Sequence, residues 1–337
     1  MLNLGIIGIG RIGKVHAQSI TYHLKNAQVK AIADPQMNDG IRQWAKELGV
    51  DACYEDYRQI LADPQIDAVL VCSSTPTHAD ISIEAIRAGK HVFCEKPVSQ
   101  DASKIVEVMR ALEGTGLKFQ VGFNRRFDHN FEAVRGAVAS GAIGDLHIVK
   151  ITSRDPDSPP IEYVKVSGGM FLDMTIHDFD MVRYLSGSDV TEVYVNAAVL
   201  VNPEIGRAGD VDTAIITMKL ASGALAVIDN SRRAAYGYDQ RAEVFGSKGQ
   251  AAVSNDTASS VVISSENGVT GEKPLYFFLE RYMDSFSKEV GMFVDAILNH
   301  TEVPVNVNDG LQPVLIALAA KKSMLENRPV KLSEIAY

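Results

Sequence analysis

The stretch from Leu4 to Asp34 constrains the fold of this chain more than any other. Leu4-Gly5-Ile6-Ile7 is a short apolar run, Gly8-Ile9-Gly10-Arg11-Ile12-Gly13 follows it, and Lys14 to Leu24 has helical character. Val29-Lys30-Ala31-Ile32-Ala33 then reads as a second strand ending at Asp34. Strand, G-x-G-x-x-G, helix, strand and acid, in that order, make a nucleotide-binding βαβ unit. Each glycine has a separate physical role. Gly8 permits the tight turn, Gly10 lets the backbone approach a pyrophosphate, and Gly13 lets the helix pack on the strand. The helix N-terminus faces the phosphates. Asp34 stands 21 residues beyond Gly13, where a carboxylate accepts hydrogen bonds from a ribose hydroxyl and repels a 2′-phosphate. The pattern therefore selects NAD over NADP. Arg11 and Arg42 could in principle reach a phosphate, but the carboxylate should dominate. Gly8, Gly10, Arg11, Ile12, Gly13 and Asp34 are the expected cofactor residues of this segment; the rival reading is a glycine-rich turn in some other α/β fold.

The alternation of strands and helices continues. Ile41 to Leu48 and Tyr57 to Leu61 read as helices, and Ala68-Val69-Leu70-Val71-Cys72 is a wholly apolar run of the kind a buried parallel strand requires. After the polar loop Ser73 to His78 come a helix from Ile81 to Ala88, a strand from His91 to Cys94, a helix from Ala102 to Leu112 and a strand from Phe119 to Phe123. Parallel strands joined by helices imply right-handed crossovers and a doubly wound sheet. Ligands of such sheets bind at the carboxyl ends of the strands, which adds Ser73, Thr75, His78, Glu95 and Lys96 to the cofactor's edge.

Beyond Phe123 the pattern changes. A helix is expected from Asn124 to Ser140, a strand from Leu146 to Thr152, and one long helix from Gly169 to Leu185, ended by Gly187. Then strands dominate: 192–201, 213–220, 224–230, 241–245, 250–253 and 260–264, with hairpin turns at 221–223 and 246–249. Two amphipathic helices, near 281–298 and 310–325, close the chain. The expected architecture is α/β: an N-terminal Rossmann domain, residues 1–123, followed by an α+β domain, residues 124–337, built on a large, open, mainly antiparallel sheet.

Composition removes several function classes. With 42 acidic against 33 basic residues the net charge is −9, so nonspecific nucleic-acid binding is not expected. The three cysteines, Cys53, Cys72 and Cys94, form no C-x-x-C pair, which argues against a disulfide framework or a zinc site and for free thiols in a reducing cytoplasm. No signal-peptide pattern opens the sequence and no run is long enough to span a membrane.

Two local features carry chemistry. In the helix expected at 169–185, Asp173, His177 and Asp180 are spaced four and three residues apart and share one face. Taken alone, that stripe reads equally as a solvated helix face, a metal site, or an acid–imidazole pair lining a cleft. Lys96, at a strand's carboxyl end between Glu95 and Pro97, sits where a nicotinamide should lie. There its ammonium could bond a substrate hydroxyl; the rival is a solvated lysine paired with Glu95.

Together these residues resemble the glucose–fructose oxidoreductase/inositol dehydrogenase family. The resemblance covers nearly the whole chain and is carried by Gly8-x-Gly10-x-x-Gly13, Asp34, Cys94-Glu95-Lys96-Pro97, Gly122-Phe123-Asn124-Arg125-Arg126-Phe127-Asp128 and Asp173-x-x-x-His177. Thr152-Ser153-Arg154-Asp155-Pro156, Asp173 to Asp180 and Tyr236-Gly237-Tyr238-Asp239-Gln240-Arg241 extend it towards the bacterial inositol 2-dehydrogenases. It implies an NAD-dependent oxidation of myo-inositol to 2-keto-myo-inositol (scyllo-inosose), the first step of inositol catabolism, by a homotetramer packed through its open sheets. It also implies a catalytic trio of Lys96, Asp173 and His177, a substrate pocket containing Arg126, Ser153, Asp155, Asp180 and Tyr236, and a cis Lys96–Pro97 bond. Some relatives carry His and Asn where this chain has Ser153 and Asp155, a departure that bears on stereoisomer preference and not on the reaction type.

The chemistry suits that trio. Oxidising a secondary alcohol removes a hydride from carbon and a proton from oxygen, and histidine is the natural base. His177 is expected to take the proton, Lys96 to favour alkoxide character on the reacting oxygen, and Asp173 to orient one of them. No metal is required. The competing expectations are a dehydrogenase of scyllo-inositol or another cyclic polyol or aldose, and, in a different class, a non-catalytic NAD-sensing protein, which would have no need of the intact trio. Asp34→Ser should raise kcat/KM for NADP relative to NAD by about tenfold, the ratio for relieving roughly 1.4 kcal/mol of charge repulsion. A cofactor-preference assay checks this, and unchanged NADP use would take Asp34 out of the ribose site.

Overall fold

A computed structural model describes residues 1–337. The chain divides into two compact units: Met1–Phe127 with Met283–Val314 and Tyr337, and Asp128–Tyr282 with Leu315–Ala336. The sequence pattern changes character at Phe123, four residues before the first of these divisions, and the segment Met283–Val314 returns to the first unit.

The first unit contains β1 (Leu2–Ile7), α1 (Arg11–His23), β2 (Ala27–Ala33), α2 (Asp39–Glu47), β3 (Ala52–Tyr54), α3 (Arg58–Ala62), β4 (Ala68–Val71), α4 (His78–Arg87), β5 (His91–Glu95), α5 (Ala102–Leu112) and β6 (Phe119–Gly122). The six strands are all parallel, in the order β3-β2-β1-β4-β5-β6. The order reverses between β1 and β4, and ligands of doubly wound sheets bind at that switch point. Every residue of β4 is buried, as a strand covered on both faces requires. Leu4, Ile6, Ile20, Ile32, Leu70 and Phe93 form the core with Val290, Phe293 and Val294 from the later segment.

The second unit contains α6 (His129–Ala139), β7 (Leu146–Arg154), α7 (Ile161–Ser167), α8 (Gly169–Asp173), α9 (Thr175–Ser186), β8 (Val190–Ala198), α10 (Pro203–Arg207), β9 (Thr213–Leu220), β10 (Leu225–Ser231), β11 (Asp239–Gly246), β12 (Gly249–Val253), β13 (Val262–Ser265), β14 (Gly268–Gly271) and α11 (Phe278–Arg281). The chain then passes through α12 (Met283–Leu298) in the first unit and α13 (Val307–Glu326), which is shared between the units, to β15 (Val330–Lys331) in the second. A seven-stranded sheet runs β12-β11-β7-β10-β9-β8-β15. β7 and β10 pair in parallel, and its other pairs are antiparallel. α6 and α9 pack against this sheet. Ile148, Ile215, Leu225 and Phe245 remain exposed on it, and Ile148 stands opposite both Leu225 and Phe245 in register. Opposed residues share a face, so these side chains belong to one uncovered surface.

Three local expectations are corrected. The single helix from Gly169 to Leu185 is two helices, α8 and α9, joined at Met174. The side chains flanking the joint are drawn to different partners: Asp173 to Tyr163 and Arg232, Thr175 to Asn230. Tertiary bonds of this kind override local propensity. The helix expected from Asn124 is a 3-10 turn, Asn124–Phe127, followed by α6. Asp128 separates them because its carboxylate caps α6, accepting from Asn130 N and Phe131 N. The last expected strand, 260–264, lies in a two-stranded hairpin of β13 and β14 instead of in the large sheet.

No helix is long and apolar enough to cross a membrane, and all three cysteines are free thiols.

Candidate active site

The turn after β1 is built from backbone. Gly8 has φ +95°, and a Cβ there would lie 2.5 Å from Ser73 N, while one on Gly13 would lie 2.0 Å from the Gly8 carbonyl oxygen. A Cβ on Gly10 would meet nothing within 4 Å. The loop is thus tight at Gly8 and Gly13 and open at Gly10, the distribution that a closely approaching pyrophosphate needs. α1 begins after Gly10 with no side-chain cap and no acid in its first turn, whereas Asn38, Asp101 and Asp128 cap α2, α5 and α6. Uncapped N–H groups at a helix start suit an anion. Arg11 and Ile12 open this helix. Asp34 is held beside the loop, its two oxygens accepting from Ile9 N at 2.7 Å and Gln36 N at 2.8 Å.

The next strand ends hold the other expected cofactor residues. Ser73 Oγ bonds Thr77 Oγ1 at 2.7 Å, and Thr75 opens the turn that leads into α4. His78 is buried, with Nδ1 2.9 Å from the Pro97 carbonyl and Nε2 2.9 Å from the Ser73 carbonyl. It ties the loop after β4 to the turn after β5. That turn contains the cis Lys96–Pro97 bond. Glu95 is turned inwards: Oε1 meets His16 Nε2 at 2.7 Å, and Oε2 accepts from Lys96 N at 3.3 Å. The imidazole is a hydrogen-bond partner for this largely buried carboxylate. Arg126 lies on the turn after β6 and donates to Asp309 Oδ1 at 3.1 Å.

In the second unit Asp155 and Asp173 meet on one cation. Arg232, 3% exposed, donates to Asp173 Oδ2 at 3.1 Å and to Asp155 Oδ2 at 3.3 Å. Tyr163 donates to Asp173 Oδ1 at 2.8 Å. Burial opposes the charge on Arg232, but Asp173 and Asp155 more than offset it, and the guanidinium pKa rises. His177 lies in the first turn of α9, half-buried, and Asp178 and Asp180 of the same helix are buried. Asp178 Oδ2 accepts from Asn230 Nδ2 at 2.9 Å. Asn230 also donates to the Ser153 carbonyl at 3.1 Å and accepts from Thr175 Oγ1 at 2.7 Å. Ser153 is fully buried, and its hydroxyl donates to Gln240 Oε1 at 3.0 Å. Tyr236 is exposed; its hydroxyl donates to Asp239 at 2.5 Å and accepts from Arg154 at 3.1 Å. Burial and then Asp239 push its pKa up.

Sequence reading missed four residues: Arg232, Asn230, His16 and Glu289. Asn230 had a signal, since it takes an inward position in the alternation of β10. Glu289 had one too, an acid in the apolar stripe of α12. Arg232 had none, because its carboxylates are far away in sequence.

Residues 2–123 match the model of an oxidoreductase family with an NAD-binding Rossmann fold, and residues 131–252 match the GFO/IDH/MocA C-terminal domain. The chain belongs to this oxidoreductase family. It is 48% identical over 334 residues to a myo-inositol 2-dehydrogenase of Thermotoga maritima, covering 99% of this chain and 99% of that protein. It is 44% identical over 335 residues to an inositol 2-dehydrogenase of Rhizobium meliloti, covering 98% and 99% respectively. A crystal structure of scyllo-inositol dehydrogenase from Lactobacillus casei, with bound NAD(H) and scyllo-inositol, superposes with a TM-score of 0.91 at 32% identity, covering 99% of each chain. The protein is an NAD-dependent oxidoreductase with a Rossmann unit, and the open Gly10, uncapped α1 and anchored Asp34 fit that cofactor.

Arg232→Met should cost up to about 3–5 kcal/mol, the usual upper range for removing one partner of a buried ion pair, since Arg232 is buried and its two carboxylates are only partly exposed. Chemical denaturation checks this, and a change under about 1 kcal/mol, the range of an exposed pair, would show that Arg232 is not the required counterion.

Proposed function

We propose that the protein oxidises myo-inositol to 2-keto-myo-inositol (scyllo-inosose), as the first step of inositol catabolism. The full-length likeness to a myo-inositol 2-dehydrogenase carries this reading, together with the Glu95-Lys96-Pro97 and Asp173-x-x-x-His177 strings. NAD, when bound, accepts the hydride. Gly8, Gly10, Arg11, Ile12 and Gly13 would take its pyrophosphate and Asp34 its ribose, with Ser73, Thr75, His78 and Glu95 shaping the nicotinamide end.

The chain's own groups handle the proton and the polyol. His177 takes the hydroxyl proton as general base. The Lys96 ammonium stabilises alkoxide character on the reacting oxygen. Asp173 orients the pair and balances its charge; the Tyr163 and Arg232 contacts that fix its carboxylate support that task. Arg126, Ser153, Asp155, Asp180 and Tyr236 are the proposed substrate residues. The buried, satisfied hydroxyl of Ser153 moves isomer discrimination towards Asp155, Asp180 and Arg126. A site built to bond every hydroxyl rejects an isomer that leaves one buried group unpaired. Residues 1–123 carry the cofactor in this reading, and 124–337 carry substrate and subunit contacts. The enzyme is a cytoplasmic homotetramer assembled through the uncovered sheet face of Ile148, Ile215, Leu225 and Phe245; a monomeric mass in sedimentation equilibrium would end that part of the proposal.

A second reading, scyllo-inositol as substrate, is favoured by the likeness to the Lactobacillus casei enzyme. NADH absorbance across myo-inositol, scyllo-inositol and glucose decides between them. Turnover with none of the three would instead favour a non-catalytic NAD sensor. His177→Ala should lower kcat by about 10²–10⁴-fold, the contribution of a positioned base, with NAD affinity nearly intact. Near-normal turnover of that variant would remove His177 from the base role.

A further inference from the structure

Three ionisable side chains from distant parts of the sequence meet inside the first unit. His16 comes from the inward face of α1, Glu95 from the end of β5 and Glu289 from α12. His16 and Glu289 are fully buried, and Glu95 keeps 12% side-chain exposure. His16 Nε2 lies 2.7 Å from Glu95 Oε1 and 4.0 Å from Glu289 Oε1. Neither Glu289 oxygen has a hydrogen-bond partner, nor does His16 Nδ1. Phe93 and Phe286 hold the imidazole edge-on, with ring centroids 5.1 and 5.8 Å away. Gly122 leaves room for the Glu95 carboxylate: a Cβ there would stand 3.1 Å from it.

We propose that His16 and Glu289 form a buried unit that positions Glu95 and, through it, Lys96. The inference rests on the role given to Lys96 above. Its geometric basis is the two-sided use of Glu95: one oxygen is fixed by His16, and the other accepts from Lys96 N. A carboxylate accepts, so His16 presents Nε2–H to it and fixes the rotamer that reaches Lys96. The positioning unit therefore joins the helix that faces the cofactor phosphates to the residue that faces the reacting oxygen.

Glu289 enters the unit as a neutral acid. Burial first, and then the charge of Glu95, pushes its pKa well above the usual carboxylate range. Around it stand His16 on α1, Glu95 on β5 and Cys72 after β4, whose thiol is raised by burial. Gln120 of β6 donates to the Glu289 carbonyl at 2.8 Å. Arg125 and Arg126 lie on the turn that packs against α12, Arg126 bonded to Asp309. The ligand-type atoms of His16, Glu95 and Glu289 lie within 4.8 Å of one another, which invites a metal reading. The 2.7 Å His16–Glu95 contact is a hydrogen bond; two ligands on one tetrahedral ion with bonds of ~2.05 Å would stand about 3.3 Å apart.

The test uses the full-length enzyme with NAD and its polyol substrate. His16→Phe fills the ring slot and removes the donor. It should lower kcat by about tenfold or more while moving KM for NAD by less than about threefold, because misplacing a reacting group by an ångström costs up to ~10²-fold in rate. His16→Gln, which restores an N–H donor, should recover part of that loss. Wild-type kcat in His16→Phe, alongside a large loss in Lys96→Met, overturns the positioning role. Retained turnover in Lys96→Met instead overturns the parent reading of Lys96. If His16→Phe does not fold, the Glu289 arm carries the test. Infrared difference spectra at neutral pH should show a protonated carboxyl band that Glu289→Gln lacks. An acid whose pKa is raised in the folded state loses its stability contribution as pH climbs above its unfolded value of about 4.3. The wild-type Tm should therefore fall relative to Glu289→Gln as pH rises from acid towards neutral. Absence of the band, or one equivalent of divalent metal that Glu289→Gln sheds, overturns the neutral-acid unit.

Discussion

The first unit depends on a backbone-to-backbone contact. Gly8, at the end of β1, lies so close to Ser73, at the end of β4, that a Cβ on the glycine would overlap the Ser73 amide. The two strands are neighbours where the sheet order reverses. With no side chain between them, their ends open a crevice edged by amides, and α1 starts there uncapped. The loop of Ser73 to His78 and the turn at Lys96 follow on the next strand ends, braced by the His78 ring between the Ser73 and Pro97 carbonyls. Position in the fold thus turns a glycine pattern into a cofactor edge.

The second requirement is that buried charge be answered. Asp155 and Asp173 share Arg232, Asp178 is bonded by Asn230, and Glu95 is bonded by His16. These partners act on geometry as well as on charge. Arg232 and Tyr163 fix the Asp173 carboxylate from two sides. Asn230 bridges the Ser153 carbonyl on β7 to Thr175 and Asp178 on α9, so the helix bearing His177 is pinned to the sheet at two points. The break at Met174 belongs to the same logic, since the side chains before and after it answer to different partners.

Much of this was legible before any coordinates. Each strand of the doubly wound sheet from β1 to β6, apart from the short β3, announced itself as an apolar run bounded by turn residues, and Asp34 was placed by spacing alone. The mainly antiparallel second sheet was legible because its strands alternate with period two and are joined by glycine turns. The break at Met174 was not legible, because helical spacing across 169–185 is intact and only tertiary bonds of Asp173 and Thr175 contradict it. The inward contact of Glu95 with His16 was not legible either, because the two residues lie 79 apart in sequence.

The sequence by itself determined most of the elements and the dinucleotide loop, since propensity, periodicity and motif spacing act over short stretches of chain. Tertiary structure alone decided which carboxylate meets which donor. Arg232 on Asp173, Asn230 on Asp178, and His16 with Glu289 around Glu95 are all contacts between residues remote in sequence. No local pattern encodes them, because each pairing is fixed by the burial of both partners and by the distance that packing leaves between them.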